Sequence, residues 1–255
     1  IAPEIGAILI RTFYYHDIPG QERSNTMNSA INVSCEYLGD PRFAIMVYRN
    51  MLPKELRLIE RLEETIGTST TPPYMWMEAL VGHQEKMPDY RDCFDCKISE
   101  QLANQAPGEF LEIKAIWSDT IERLTPCLRH YESMYNVKME WMEAINYVKY
   151  GPKQHFQTHT DHGFSYTCTI SSIMYLNDDY EGGELFFPYF DLKFKPEAGD
   201  IVFFPSTYIF AHAALPVQSG VKYSAVTMFD YNDKNHKQVQ SYSPVAATRG
   251  VSTSQ

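Results

Sequence analysis

Apolar residues along this chain follow two rhythms, and the change from one to the other falls near residue 135. From Leu52 to Ile66, the residues Leu56, Ile59, Leu62 and Ile66 recur at three- and four-residue steps. Pro53 sits where a first helical turn tolerates it, and Gly67 follows as a stop. This predicts an amphipathic helix with a charged outer face. A second stretch, LEIKAIWSDTIERLTPCLRHYESMY, carries Ile113, Ile116, Trp117, Ile121, Leu124 and Leu128 at helical spacing, with Pro126 predicted to kink or interrupt it. The segment between, residues 67–108, is rich in Thr, Pro, Met and aromatics, has no sustained period, and reads as long loops.

Beyond Tyr135 the pattern shortens to β-rich runs: MEWMEAINYVKY, FSYTCTISSIMYL, GELFFPYF, LKFKP, DIVFFPS and KYSAVTMFDY. Turn residues punctuate them at YGP, LNDDYEGG, PEAGD and QSG, and strands at this spacing indicate a sandwich or barrel. The chain therefore divides into a helical and loop-built portion, 1–135, packing on a β core, 136–234, with a polar, Ser/Thr-rich tail or interaction arm at 235–255.

At 255 residues, 44% hydrophobic and 14% aromatic, the chain is long enough to bury a sizeable core. A formal net charge of -10 offers no general attraction to phosphate backbones, so no nucleic-acid partner is expected. No long apolar run suggests a membrane span. The five cysteines, Cys35, Cys93, Cys96, Cys127 and Cys168, form an odd set without repeated spacing, which suits a reducing compartment and makes cytoplasmic the expected location. Cys93 and Cys96 make a C-x-x-C, but a structural zinc site needs four ligands and this motif supplies two.

The feature richest in chemistry is His159-Thr160-Asp161, within QHFQTHTDHG. On a strand, residues two apart share a face, which would aim an imidazole and a carboxylate at one point. His212 follows DIVFFPS in a small-residue context, AHAALPV, that permits close approach of a third group. Two His and one carboxylate form the facial triad of non-haem iron(II) sites, which leaves positions open for other ligands. Lys222, in SGVKYSAVTMF, offers a cation on an otherwise acidic protein, and a buried lysine needs an anion. His155 and His162, flanking the triplet, read as solvated histidines, and Gly182-Gly183 as a tight turn.

The pieces YGPKQHFQTHTD, IMYLNDDYEGGELFFP, PEAGDIVFFPS and HAALPVQSGVKYSAVTMF, in this order between about Ile145 and Tyr231, resemble the catalytic core of the 2-oxoglutarate/Fe(II)-dependent oxygenase superfamily. The resemblance is to its prolyl 4-hydroxylase-like, collagen-type branch. It implies a double-stranded β-helix (jelly-roll) core buttressed by N-terminal helices, with His159, Asp161 and His212 as catalytic iron ligands. It further implies Lys222 on the far carboxylate of 2-oxoglutarate, and Tyr150 and Tyr175 as contacts of the same cosubstrate. Arg91, in PDYRDCF, stands roughly where the family has an arginine at the core edge, on a match too short to give it a role.

The implied activity is that of a dioxygenase hydroxylating a C–H bond, with Fe(II) as cofactor, 2-oxoglutarate and O2 as cosubstrates and ascorbate as reductant, 2-oxoglutarate leaving as succinate and CO2. Halogenating relatives carry a small residue where Asp161 stands, so hydroxylation is the expected outcome. The resemblance favours a prolyl residue in a peptide or protein, and the aromatic, Pro-rich stretch from Thr70 to Tyr90 suits an extended chain. A free amino acid or other small metabolite is the alternative substrate class, and a noncatalytic or non-oxygenase cupin-like metal-binding barrel the remote alternative. Nothing in the sequence specifies an oligomeric state.

Overall fold

The computed structural model describes residues 11–13, 33–81, 85–163, 166–234 and 236. The expected tail, 235–255, lies outside the described residues except for His236.

Two antiparallel sheets make the core. The larger runs, edge to edge, Arg11–Phe13, Val33–Tyr37, Met46–Tyr48, Ile201–Pro205, Ile170–Tyr175, Lys222–Asp230, Ile145–Tyr150, Phe94–Ile98 and Met77–Glu78, with Trp141–Met142 paired to the far end of Lys222–Asp230. The smaller runs Leu192–Phe194, Leu185–Phe187, His212–Ala214, His155–His159 and Arg91–Asp92. Adjacent residues of the large sheet point to opposite sides, as extended backbone requires. Val47, Tyr175, Val202 and Phe204 pack with Leu185, Phe187 and Phe194 of the small sheet. Their neighbours Met46, Tyr48, Met174, Ile201 and Phe203 pack on the opposite side, with Leu62, Ile113, Ile116, Leu124 and Tyr131 of the helices. This is the double-stranded β-helix that the resemblance implies, with His159 and His212 in the small sheet and Asp161 just beyond it.

Helices cover the outer face of the large sheet. The longest, Glu112–Tyr135, turns Ile113, Ile116, Leu124 and Leu128 inward, each side chain contributing roughly 1.5–3 kcal/mol by leaving water. Polar ties register it: Thr120 Oγ1 lies 3.0 Å from the Tyr147 hydroxyl, and the Tyr131 hydroxyl donates to the Ala44 carbonyl at 2.8 Å. Of the kink or interruption expected at Pro126, interruption does not occur: the helix runs unbroken through it. The missing N–H costs one backbone hydrogen bond, but Leu124, Cys127, Leu128 and Tyr131 are buried on both sides of the proline and hold the helix together.

Two other expectations are corrected. The first helix begins at Leu58 and not at Leu52, because Lys54–Leu56 forms a 3-10 turn that ends on Arg57 in the left-handed region (φ 49°). It stops at Ile66 as expected, with Gly67 as a right-handed C-cap. Residues 67–108 are not loop throughout: Met77–Glu78, Arg91–Asp92 and Phe94–Ile98 are strands and Glu100–Asn104 a short helix, capped by Ser99 Oγ on Leu102 N. Their contribution comes from sheet pairing, a nonlocal interaction that leaves no period in the sequence. Strands from before residue 135 thus enter both sheets.

All five cysteines are free and buried. Cys93 packs with Val148 and Tyr150 inside the jelly roll and Cys96 with the helical layer, so the C-x-x-C thiols lie on opposite faces of one sheet and form no common site.

Candidate metal centre

His159 ends the strand His155–His159 and His212 begins the strand His212–Ala214, and the two residues are paired across the ladder. Asp161 stands two residues past the strand end, in a bend. Its convergence on His159 therefore comes from the turn out of the sheet and not from the strand alternation that the sequence suggested. His159 Nε2 is 3.5 Å from Asp161 Oδ1, His212 Nε2 is 3.8 Å from Asp161 Oδ2, and the donor atoms of the three residues lie within 4.8 Å of one another. Among the described residues this is the one such cluster of metal-ligating groups.

Hydrogen bonding prepares these atoms for a cation. His159 Nδ1 lies 2.9 Å from the Gln157 carbonyl and His212 Nδ1 3.1 Å from the Phe210 carbonyl. A carbonyl can only accept, so each Nδ1 carries the proton and, in the neutral ring, each Nε2 keeps its lone pair. Burial pushes His212 down to about 4, which keeps its imidazole neutral near pH 7. Burial alone would raise Asp161, but the His212 and His159 rings and the Ser171 hydroxyl hold it well below the usual carboxylate range. Ser171 Oγ donates to Asp161 Oδ2 at 2.6 Å and lies 2.7 Å from Ser206 Oγ, so Asp161 is oriented from behind. Two imidazoles with Nε2 turned inward and one oriented carboxylate are a donor set suited to Fe(II).

Lys222 begins the last strand, on its inner face, and pairs in register with Tyr150. It is 3% exposed and forms no ion pair among the described residues. Its ammonium lies 5.4 Å from the Tyr150 ring centroid and 5.3 Å from that of Tyr175, and donates to the Gly183 carbonyl at 2.7 Å. Burial, helped by Lys195, pushes it down to about 7. An unpaired buried cation between two aromatic faces is a receptor for an anion. The Gly182-Gly183 turn shapes that receptor: both glycines have positive φ, and a Cβ on Gly183 would stand 3.2 Å from Lys222 Cδ.

The structure thus brings His159, Asp161 and His212 together and sets Tyr150, Tyr175 and Lys222 in a second group inside the jelly roll. His155 and His162 take no part: the first bonds to backbone carbonyls of Lys153 and Asp89, and the second is exposed. Sequence reasoning missed the Ser171–Ser206 pair and the aromatic packing of the ligands. Phe156 stacks on His159 with 3.6 Å between centroids, and Phe204 meets His212 edge-on at 4.8 Å. The one available signal was ISSIMY, where two adjacent hydroxyls interrupt an apolar strand.

Comparison with known proteins bears out the resemblance read from the motifs. Residues 145–230 match the model of the 2OG-Fe(II) oxygenase superfamily. A mimivirus protein (Acanthamoeba polyphaga mimivirus) named "Putative prolyl 4-hydroxylase" is 29% identical over 124 residues, 41% of this chain and 51% of that protein. The chain spans about half the length of the curated relatives it matches. Among solved structures, a prolyl hydroxylase from Trichoplax adhaerens, in complex with a peptide fragment of the hypoxia inducible factor oxygen degradation domain, superposes with a TM-score of 0.59 at 13% identity, covering 80% of this chain and 89% of that one. A Pseudomonas putida prolyl-4-hydroxylase gives 0.57 at 18%, covering 74% and 94%. At these identities the structural likeness shows the fold. Residues 145–230 are thus similar to the 2OG-Fe(II) oxygenase superfamily, and the chain is similar to curated proteins named as hydroxylases.

Proposed function

We propose that this protein hydroxylates a C–H bond of a prolyl residue in a peptide or protein, using Fe(II), 2-oxoglutarate and O2. The observation that carries the reading is the pairing of the His159–Asp161–His212 cluster with a buried, unpaired Lys222 in the same jelly roll. A cupin-like barrel keeping its histidines for structure has no use for that lysine. When bound, Fe(II) with 2-oxoglutarate and O2 supplies the oxidising power that breaks the C–H bond and leaves succinate and CO2.

In this assignment the protein's own groups bind and orient. His159 and His212 offer Nε2 because backbone carbonyls hold the proton on Nδ1, and Asp161 stays ionised on Ser171. Lys222 takes the distal carboxylate of 2-oxoglutarate, with Tyr150 and Tyr175 as walls that exclude water and strengthen the ion pair. Ascorbate serves as reductant. Buried free cysteines fit a reducing compartment and support a cytoplasmic location; no helix among the described residues is long and apolar enough to cross a membrane. Names of relatives support the prolyl substrate, with a small metabolite as the alternative.

The test is succinate formation from 2-oxoglutarate under air with Fe(II) and ascorbate, with and without proline-rich peptides, beside the Asp161→Ala form. Peptide-stimulated succinate that disappears in the variant is the expected result. Succinate released without peptide stimulation overturns the prolyl substrate, and no succinate with no binding of 2-oxoglutarate overturns the oxygenase.

A further inference from the structure

The strand that delivers His159 is irregular. His212 pairs with His159, whereas Ala214 pairs with Phe156, so one strand advances two residues while the other advances three. This is a bulge, a device that re-aims side chains beside functional sites. On a regular strand Phe156 and His159, three apart, would face opposite ways. The bulge brings them to one face, where the rings lie nearly parallel, 12° apart at 3.6 Å.

The other side of the Phe156 ring is covered as well. Arg91 pairs with Phe156 from the neighbouring strand, and its guanidinium carbon lies over the ring at 5.0 Å from the centroid. With the imidazole at 3.6 Å on one face, the guanidinium takes the other. Arg91 has little room to move: its side chain is 14% exposed, Nη1 donates to the Leu80 carbonyl and Nη2 to Asp95 Oδ2, both at 2.9 Å. Its Nε is buried without a partner. Burying a guanidinium with one donor orphaned is costly, and the ion pair with Asp95 offsets part of that cost. The contact with the Phe156 ring gives the same side chain a second role.

The two histidines of the triad also differ in support. Phe187 and Phe204 flank His212, which is buried. His159 is more open, and a single Nδ1 hydrogen bond does not by itself fix the plane of a ring. We propose that Arg91 is a positioning residue that acts through Phe156 to fix the plane of His159 and aim its Nε2 lone pair at the metal. This rests on the reading of His159, Asp161 and His212 as a metal centre. Arg91 reaches the imidazole through another side chain: the chain of contact is guanidinium, phenyl, imidazole.

Co(II) titration followed by its visible absorption tests this without turnover, on four forms beside the unmodified protein: Arg91→Met, Phe156→Leu, the double variant, and Arg91→Lys. Thermal unfolding of each metal-free form reports structural damage separately. Supporting residues behind metal ligands are worth about ten- to a hundredfold in metal affinity. The expected result is at least a tenfold loss and an altered Co(II) spectrum for Arg91→Met, a similar loss for Phe156→Leu, and no further loss in the double variant, since both act on one ring. Arg91→Lys, which keeps a cation over the phenyl face, recovers part of the loss. Unchanged Co(II) affinity and spectrum in Arg91→Met, or additive losses in the double variant, overturn the proposal. Failure of the unmodified protein to bind Co(II) overturns the metal centre itself, and the proposal with it.

Discussion

Replacing Lys222 with methionine keeps most of the side chain's length and apolar stem while removing the charge that the fold buries. Lys222 drops from an ordinary 10.5 to about 7, chiefly by desolvation. Between those two pH values the unfolded chain holds a proton that the folded chain resists, so folding releases it. The group's penalty is absent above about 10.5, grows as the pH falls, and is complete below about 7. At about 1.4 kcal/mol for each pH unit, it amounts to at most on the order of 5 kcal/mol. Ligand-free Lys222→Met is therefore expected to exceed the parent in stability by roughly 2–5 kcal/mol at pH 7, with the gap closing towards pH 10. Urea unfolding at a series of pH values from 6 to 10 measures this directly.

Adding 2-oxoglutarate should narrow the gap. A ligand at a hundred times its Kd stabilises by about 2.7 kcal/mol. The parent is expected to gain on that scale in the presence of a divalent metal, and Lys222→Met much less. Binding near pH 8 should also take up a proton, because an anion restores the charged lysine; calorimetry in buffers of different ionisation enthalpy detects it. Parallel pH–stability curves for the two proteins, or equal stabilisation by 2-oxoglutarate, would refute the reasoning.

Other substitutions probe other links. Gly183→Ala forces a side chain into a left-handed position (φ 66°) with a Cβ 3.0 Å from the Tyr180 ring; a loss of about 1–3 kcal/mol and weaker 2-oxoglutarate binding are expected, by urea unfolding and ligand titration. Asp161→Ala should abolish the rise in Tm that divalent metal gives the parent, read in thermal unfolding with and without metal. Pro126→Ala returns an N–H to the long helix and is expected to stabilise by about 1–3 kcal/mol in urea unfolding. Arg49→Met, breaking the Glu36–Arg49–Asp200 bridge and leaving a buried carboxylate, should cost about 3–5 kcal/mol by the same assay.

The types of chemical group were legible in the sequence because ligand types and motif order carry them: His159, Asp161 and His212 converge, and Lys222, Tyr150 and Tyr175 form a second group. Their orientation was not. The H-x-D argument assumed a regular strand, whereas the strand ends at His159 and the turn places Asp161. Phe156 and His159 share a face only because of a bulge, which no local pattern announces. Helical faces were readable wherever one element packs on one layer, as from Ile113 to Leu128. Pro126 misled because propensity weighs a single residue while the packing of a whole helix outweighs it. Strands such as Arg91–Asp92 and Phe94–Ile98 owe their form to partners distant in sequence, including His155–His159 and Ile145–Tyr150 more than forty residues on.

The pairing of His159 with His212 also sets an order of events during folding. These two residues, 53 positions apart, become neighbours only when the small sheet closes, so an early collapsed chain with its helices formed offers at most the adjacent His159 and Asp161. Such long-range pairings form late and slowly. A metal ion would then bind tightly only after the barrel shuts, latching closure without guiding it, and the onset of Co(II) absorption during refolding would time that last step.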